Sequence, residues 1–158
     1  MPHRIVSSPI GELTLVVDGD DLVALYTAGQ AQATDPQLIG DPDDLIAQEA
    51  VDQLAEYFVG TRTDFDLPLA PRGTDFQHRV WRAIAQVAYG HTASYAEIAR
   101  ALGIDGSARA VGAAIGRNPL LIIVPCHRII GSDGSLTGYA GGFDRKRWLL
   151  AHERQEKP

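Results

Sequence analysis

The sequence predicts an α+β protein in two parts, a strand-led first part and a helical second part. Three observations carry that reading. The first part alternates short β-branched runs with turns containing Gly, Pro and Asp. Two capping boxes, Thr74 with Gln77 and Ser94 with Glu97, open apolar-periodic runs in the second part. The charge also changes sign between the parts. Residues 1–71 carry two basic and thirteen acidic side chains, giving −11, whereas residues 72–158 carry twelve and seven, giving +5.

Residues 4–7, 13–17 and 22–26 read as strands, separated by turns at Pro9-Ile10-Gly11 and Asp18-Gly19-Asp20, so a β-meander is expected. Residues 29–42 read as a loop. Ile46, Ala50, Leu54 and Phe58 line one face of a helix over 43–59, which Gly60 ends. Residues 65–69 read as a further short strand. Ala70-Pro71-Arg72-Gly73 is the expected linker, dividing domains at 1–71 and 72–158.

Beyond it, Thr74 starts a helix carrying Phe76, Val80, Trp81, Ile84 and Val87, broken at Tyr89-Gly90. Ser94 starts a second helix that stops at Gly103. After Ile104-Asp105-Gly106 a third helix covers about 107–116. Two short helices around a Gly-containing turn make a helix-turn-helix pattern, which is also the pattern of an ordinary αα-hairpin. The many small residues of the third helix allow close approach to a neighbouring helix or to a nucleic-acid backbone. Its positive N-terminus and Arg109 suit phosphate or a groove. Asn118-Pro119 forces a turn. Residues 120–124 read as a buried strand delivering Pro125-Cys126-His127-Arg128. Ile129-Ile130, a turn at 131–134, a Gly-rich loop over 137–142 and a last helix through Trp148 and Glu153 complete the chain.

The 158 residues suffice for a real core, and 45% of them are hydrophobic. The start, Met-Pro-His-Arg-Ile, has no signal-peptide pattern, and no apolar run is long enough to span a bilayer. A single cysteine forms no intramolecular disulfide, so a cytoplasmic location is expected. It also excludes a structural zinc site built from several cysteines of this chain. The basic second part suits a polyanion such as nucleic acid; uneven scatter of charge gives the same count.

Cys126 is the candidate nucleophile. A lone cysteine in an apolar segment is ordinarily buried and inert. Here it stands between a proline and two basic residues, a setting that favours thiolate. His127 and Glu153 are available as base and orienting carboxylate. Adjacent strand residues point to opposite faces, so His127 would reach the thiol through a water or a bend.

Pro125-Cys126-His127-Arg128, with Asn118-Pro119 before it and Gly138-Tyr139-Ala140-Gly141-Gly142 and Trp148-Leu149-Leu150-Ala151-His152-Glu153 after it, resembles the O6-alkylguanine-DNA alkyltransferase family. Ser94-Tyr95 and Arg109-Ala110-Val111-Gly112 match it too, in order and spacing. The resemblance is dense from Gly73 to Glu153, while the first part is similar in layout. It implies a ribonuclease H-like N-terminal domain and a winged-helix-like C-terminal DNA-binding domain. It also implies direct-reversal repair: a flipped O6-alkylguanine gives its alkyl group to Cys126, irreversibly and once per molecule. O4-alkylthymine would be a weaker substrate.

In the same terms, the resemblance implies that His127 takes the thiol proton through water and that Glu153 orients His127. Asn118 would hold the turn. Tyr95 would donate to the leaving guanine or crowd the 3′ phosphate. Arg109 would fill the gap in the base stack, with Ser94, Tyr95, Ala110 and Gly112 also at the DNA. Tyr139, Val124, Ala140 and Ile115 would line the base pocket. No cofactor and no metal are expected. The partner would be duplex DNA, the protein a monomer in isolation with cooperativity on DNA left open, its location cytoplasmic and nucleoid-associated. Many relatives carry Ser where Ala140 stands, which removes one hydroxyl donor and shifts substrate range. With no added regulatory module, a transcription-activator role is not expected. Arg128 reads as structural, and Trp81 and Trp148 as core.

Overall fold

β1 (His3–Val6), β2 (Leu13–Asp18) and β3 (Asp21–Thr27) pair in order as an antiparallel meander. Val6 faces Leu13, Leu15 faces Leu25 and Asp18 faces Asp21. The second hairpin turns through Gly19-Asp20, and Gly19 has a φ of +62°, the left-handed geometry that two-residue hairpin loops require. This computed structural model describes residues 1–104, 106–136 and 138–155; the expected turn residue Asp105 and loop residue Thr137 lie outside the described residues.

The chain divides into two compact units: Met1–Arg72 with Pro119–Ile123, and Gly73–Asn118 with the residues from Val124 on. In the first, α1 (Gln48–Val59) buries Ala50, Leu54 and Tyr57, and Leu54 lines an apolar groove together with Leu13 of the sheet. Val16, Val23, Ala24, Tyr26 and Ala33 form a second apolar cluster. The helix starts later than the expected position 43, because Asp43 Oδ1 accepts the Leu45 N–H and holds a turn there.

Two expected strands are absent. Residues 65–69 contribute one bridge, Leu22 to Leu69, since Pro68 has no N–H to give a ladder. Residues 120–124 contribute one bridge, Leu25 to Leu120, after which residues 121–123 turn. Ile122 takes a φ of 73°, a left-handed conformation costly for a β-branched residue. An apolar run this short between two prolines carries no periodicity to separate strand from buried turn.

The second unit holds α2 (Asp75–Ile84), β4 (Ala93–Ser94), α3 (Tyr95–Ala101), α4 (Ala108–Gly116), β5 (Ile129–Ile130) and α5 (Phe143–Glu153). Both capping boxes are formed as the sequence predicts, at Thr74 and at Ser94. α3 and α4 make the helix-turn-helix. Trp81 Nε1 donates to the Ala114 carbonyl at 2.9 Å, tying α2 to α4 through a buried hydrogen bond. Trp148 departs from its expected core role: it is half-buried and stacked on His152 at 4.9 Å. β4 pairs in parallel with β5, bringing the start of α3 beside the Cys126 turn. No described helix is long and apolar enough to cross a membrane.

Candidate active site

Cys126 is not at a strand end. It opens a 3-10 turn, Cys126–Arg128, whose three side chains are all buried. Three hydrogen bonds close this turn: Cys126 N–H to the Val124 carbonyl, Arg128 N–H to that of Pro125 and Ile129 N–H to that of Cys126. The turn supplies the bend that a strand would have denied, so Cys126 and His127 need not face opposite ways.

Asn118, buried just past α4, holds the turn from the other side. Its Nδ2 donates to the Val124 carbonyl at 2.9 Å and to Cys126 Sγ at 3.2 Å. Burial pushes the Cys126 thiol up to about 11, against the opposing pull of the Asn118 N–H and the Lys146 charge. At neutral pH the group therefore rests protonated. The resting site is a thiol with its acceptor bond already made.

His127 Nε2 lies 2.6 Å from Glu153 Oε2. Arg128 donates to both oxygens of the same carboxylate, through Nε at 2.7 Å and an Nη at 3.1 Å, and its other Nη donates to the Val87 carbonyl at 2.7 Å. Burial pushes the Glu153 carboxyl up, but the hydrogen bonds and charges of His127 and Arg128 outweigh it and hold that carboxyl far below the usual range. Burial lowers His127 despite Glu153, so the imidazole rests neutral. Nε2–H therefore donates to Glu153, and Nδ1 presents a lone pair. That Nδ1 is buried and has no partner among the described residues, and the same holds for the Tyr139 hydroxyl. The two rings meet edge to face at 6.4 Å. His127 is thus an acceptor nitrogen next in sequence to the thiol, fixed by an ionised carboxylate on its other side, the residue types that a nucleophile, base and orienting group require.

The glycine-rich loop shapes the surroundings. A Cβ at Gly141 would fall 2.5 Å from the Tyr139 ring, and one at Gly138 would come 3.1 Å from the Tyr95 hydroxyl. A Cβ at Gly112 would sit at ordinary contact, 3.7 Å, from the Tyr95 ring. Tyr95 thus lies between α4 and the loop.

The structure gathers Asn118, Val124, Cys126, His127, Tyr139 and Glu153. Ser94 serves as the cap of α3. Arg109 and Ala110 stand exposed in the first turn of α4, away from that cluster's hydrogen bonds; Ile115 is on the buried face of the same helix, and Ala140 is exposed. Arg128 pairs with a carboxylate and a backbone carbonyl, as its structural reading anticipated. Sequence reasoning missed Lys146, which is only 1% exposed and donates to the Ile129 carbonyl. The signal was present: Lys146, Leu149, Leu150 and Glu153 fall at i, i+3, i+4 and i+7, one helical stripe. Among the described residues no group of His, Cys, Asp or Glu is arranged to hold a metal ion.

Fold and site together define a two-unit α+β protein with a buried, asparagine-bound cysteine in the unit that carries its helix-turn-helix. Residues 75–155 match the 6-O-methylguanine DNA methyltransferase DNA binding domain, and residues 1–71 match the ribonuclease-like domain of the same family. The chain belongs to the 6-O-methylguanine DNA methyltransferase family. It is 50% identical over 157 residues, 99% of this chain and 94% of the other, to the methylated-DNA–protein-cysteine methyltransferase of Mycolicibacterium paratuberculosis. A Methanosarcina barkeri protein of the same name is 46% identical, covering 97% of each chain. The crystal structure of Mycobacterium tuberculosis OGT in complex with DNA superimposes with a TM-score of 0.93 at 50% identity, over 100% of this chain and 96% of that one.

Proposed function

We propose that this protein repairs O6-alkylguanine in duplex DNA by moving the alkyl group to Cys126. The observation that carries the reading is the Asn118–Cys126 contact in the same unit as the His127–Glu153 pair, within a chain that is similar over its whole length to named cysteine methyltransferases.

His127 Nδ1 takes the thiol proton through one water, and Glu153 stabilises the imidazolium. The thiolate attacks the alkyl carbon, a C–S bond forms, the C–O6 bond breaks, and the electron pair leaves on guanine. Tyr95 supplies the proton that neutralises the departing base, and the proton held by His127 balances it. The product is a thioether, a poor leaving group, so each molecule acts once. A stacked base hides its alkyl carbon, so the nucleotide is flipped into a pocket lined by Tyr139, Val124, Ala140 and Ile115. Arg109 enters the stack in its place. Ser94, Ala110 and Gly112 lie at the DNA backbone, where the exposed small side chains of α4 allow close approach. Residues 72–158 bind DNA and carry the transfer, and residues 1–71 support them. The protein is a monomer in isolation and works at the nucleoid, with cooperativity on DNA and acceptance of O4-alkylthymine as a weaker substrate left open.

Incubation with duplex DNA carrying O6-methylguanine, followed by intact-mass measurement, tests this. One methyl group on Cys126, at one equivalent and without turnover, is the expected result. Cys126→Ser abolishes transfer and spares binding. Transfer that persists in that variant, or a wild-type protein that binds the lesion and stays unmodified, overturns the reading.

A further inference from the structure

The connection between α2 and β4, residues 85–92, takes no part in the mechanism above, yet it meets the Arg128–Glu153 pair at three points. The Val87 carbonyl accepts from an Arg128 Nη at 2.7 Å, and the Gly90 N–H donates to Glu153 Oε1 at 3.4 Å. Between them, the Tyr89 ring lies against the Arg128 guanidinium, 5.7 Å from Cζ to the ring centroid. Local bonds fix the connection. The Val87 N–H donates to the Ile84 carbonyl and the His91 N–H to that of Ala88, so Tyr89 and Gly90 are the central residues of a closed turn. Gly90 takes a φ of +80° there, which a side chain would resist. The sequence marked Tyr89 only as a helix break.

Arg128 sets up a conflict at this pair. It keeps Glu153 ionised, but it also neutralises the carboxylate that must stabilise the His127 imidazolium, and its own charge repels that imidazolium. The Arg128 and Glu153 side chains are only 7% and 1% exposed, so water does little to screen the repulsion. The face of an aromatic ring carries negative charge density and attracts a guanidinium set against it. We infer that Tyr89 is a positioning residue for the transfer reaction: with the Val87 carbonyl, its ring face offsets the Arg128 charge, so that Glu153 remains free to act on the His127 imidazolium. This rests on the function proposed above.

The groups that face Tyr89 agree with this role. Burial first, and then the Glu153 charge, raise its hydroxyl above the usual range, while Arg128 acts the other way. The phenol is therefore protonated at neutral pH, and the ring meets Arg128 as a neutral face rather than as a phenolate that would bind the guanidinium outright.

The test varies the charge of the ring face while keeping its shape. Tyr89 is replaced by Phe and by mono-, di- and trifluorinated Phe, and single-turnover methyl transfer from O6-methylguanine duplex DNA is followed at neutral pH. Tyr89→Phe keeps the face and is expected to react at close to the wild-type rate. Fluorine withdraws charge from the face, so the rate falls stepwise along the series, to about a fifth of wild type for the trifluorinated ring, with DNA affinity unchanged. Tyr89→Leu, which covers the guanidinium without a π face, falls to the same level. In the unreacted protein, the His127 imidazole, followed through its ring 15N resonances, titrates lower with each added fluorine. A role in packing alone predicts a flat series. A flat series in either measurement, or a Tyr89→Phe variant as slow as the trifluorinated one, overturns the inference. The fluorinated rings decide the question even where Tyr89→Leu does not fold. A wild-type protein that transfers nothing would overturn the proposed function instead, and the His127 titration would still test the effect of Tyr89 on the base.

Discussion

The two units bury different kinds of side chain. The unit containing Met1–Arg72 fills its interior with Leu13, Leu15, Leu25, Leu54 and Tyr57, and its buried polar residues are Thr14, Thr27, Gln53 and His3. The unit carrying Cys126 also has an apolar core, around Val80, Trp81, Ile84 and Leu149, but it takes in Arg128, Lys146 and Glu153 as well. Every buried Arg, Lys or Glu among the described residues is in that unit. Apolar burial stabilises in proportion to area and is indifferent to pH. Buried charge does not stabilise unless fully paired, and it makes the fold depend on protonation. The first unit's interior holds no buried Arg, Lys or Glu among the described residues, whereas the second's depends on the pairing of buried charge.

The sharpest way to break this contrast is Glu153→Gln. It removes the charge facing Arg128 and leaves a buried guanidinium uncompensated, so a loss of about 3–5 kcal/mol is expected in chemical denaturation. Methyl transfer by the folded fraction should fall about 100-fold or more, because the imidazolium loses its counter-charge. A variant of wild-type stability would mean that the buried network is not what holds the turn. The counterpart in the first unit is Leu15→Ala. Leu15 has no exposed surface, so about 2–5 kcal/mol should be lost, with the transfer rate of folded protein unchanged.

Titration gives a milder comparison. His127 and Glu153 both titrate below their ordinary values in the fold, so the unfolded chain binds their protons more readily. Their contribution is complete above about pH 6.5 and declines as pH falls. Cys126 is displaced the other way, to about 11, so its contribution is complete below about pH 9 and declines as pH rises through that value. Melting temperature is expected to peak near neutrality and fall on both sides. Replacing Cys126 by Ser should flatten the alkaline limb only, and an unchanged limb would place the titrating group elsewhere. The smallest effect expected is about 1 kcal/mol, from Thr74→Ala, which removes the oxygen that accepts the Gln77 N–H.

Legibility in the sequence followed the same division. The meander and α1 show period-two and helical apolar spacing, and the capping boxes announce α2 and α3 by residue type alone. The strand ends shifted, α1 started later where an Asp side chain took a local hydrogen bond, and α2 stopped at Ile84, short of the expected Val87. The expected strands at 65–69 and 120–124 did not form, because Pro68, Pro119 and Pro125 remove donors that a hydrophobicity pattern does not register. At the site, Cys126, His127 and Glu153 were legible as candidate residue types, while the pairing of His127 with Glu153 was expected from the resemblance and not from spacing. The 3-10 turn and the double donation by Asn118 arise within nine residues of chain but carry no apolar period, and the burial of Lys146 comes with its bond to Ile129, seventeen residues away.

The segment Pro119–Ile123 has a consequence of its own. It belongs to the first unit, yet Asn118 and Val124 on either side belong to the second. The border between the units is therefore not a point in the chain, and no single cut separates them. A fragment beginning at Gly73 would retain Leu120, Leu121 and Ile122 while losing Leu25, the strand residue with which this segment bridges. It would expose three fully buried apolar side chains six residues or fewer from Cys126, and a soluble stand-alone transfer domain would first have to replace them with polar ones.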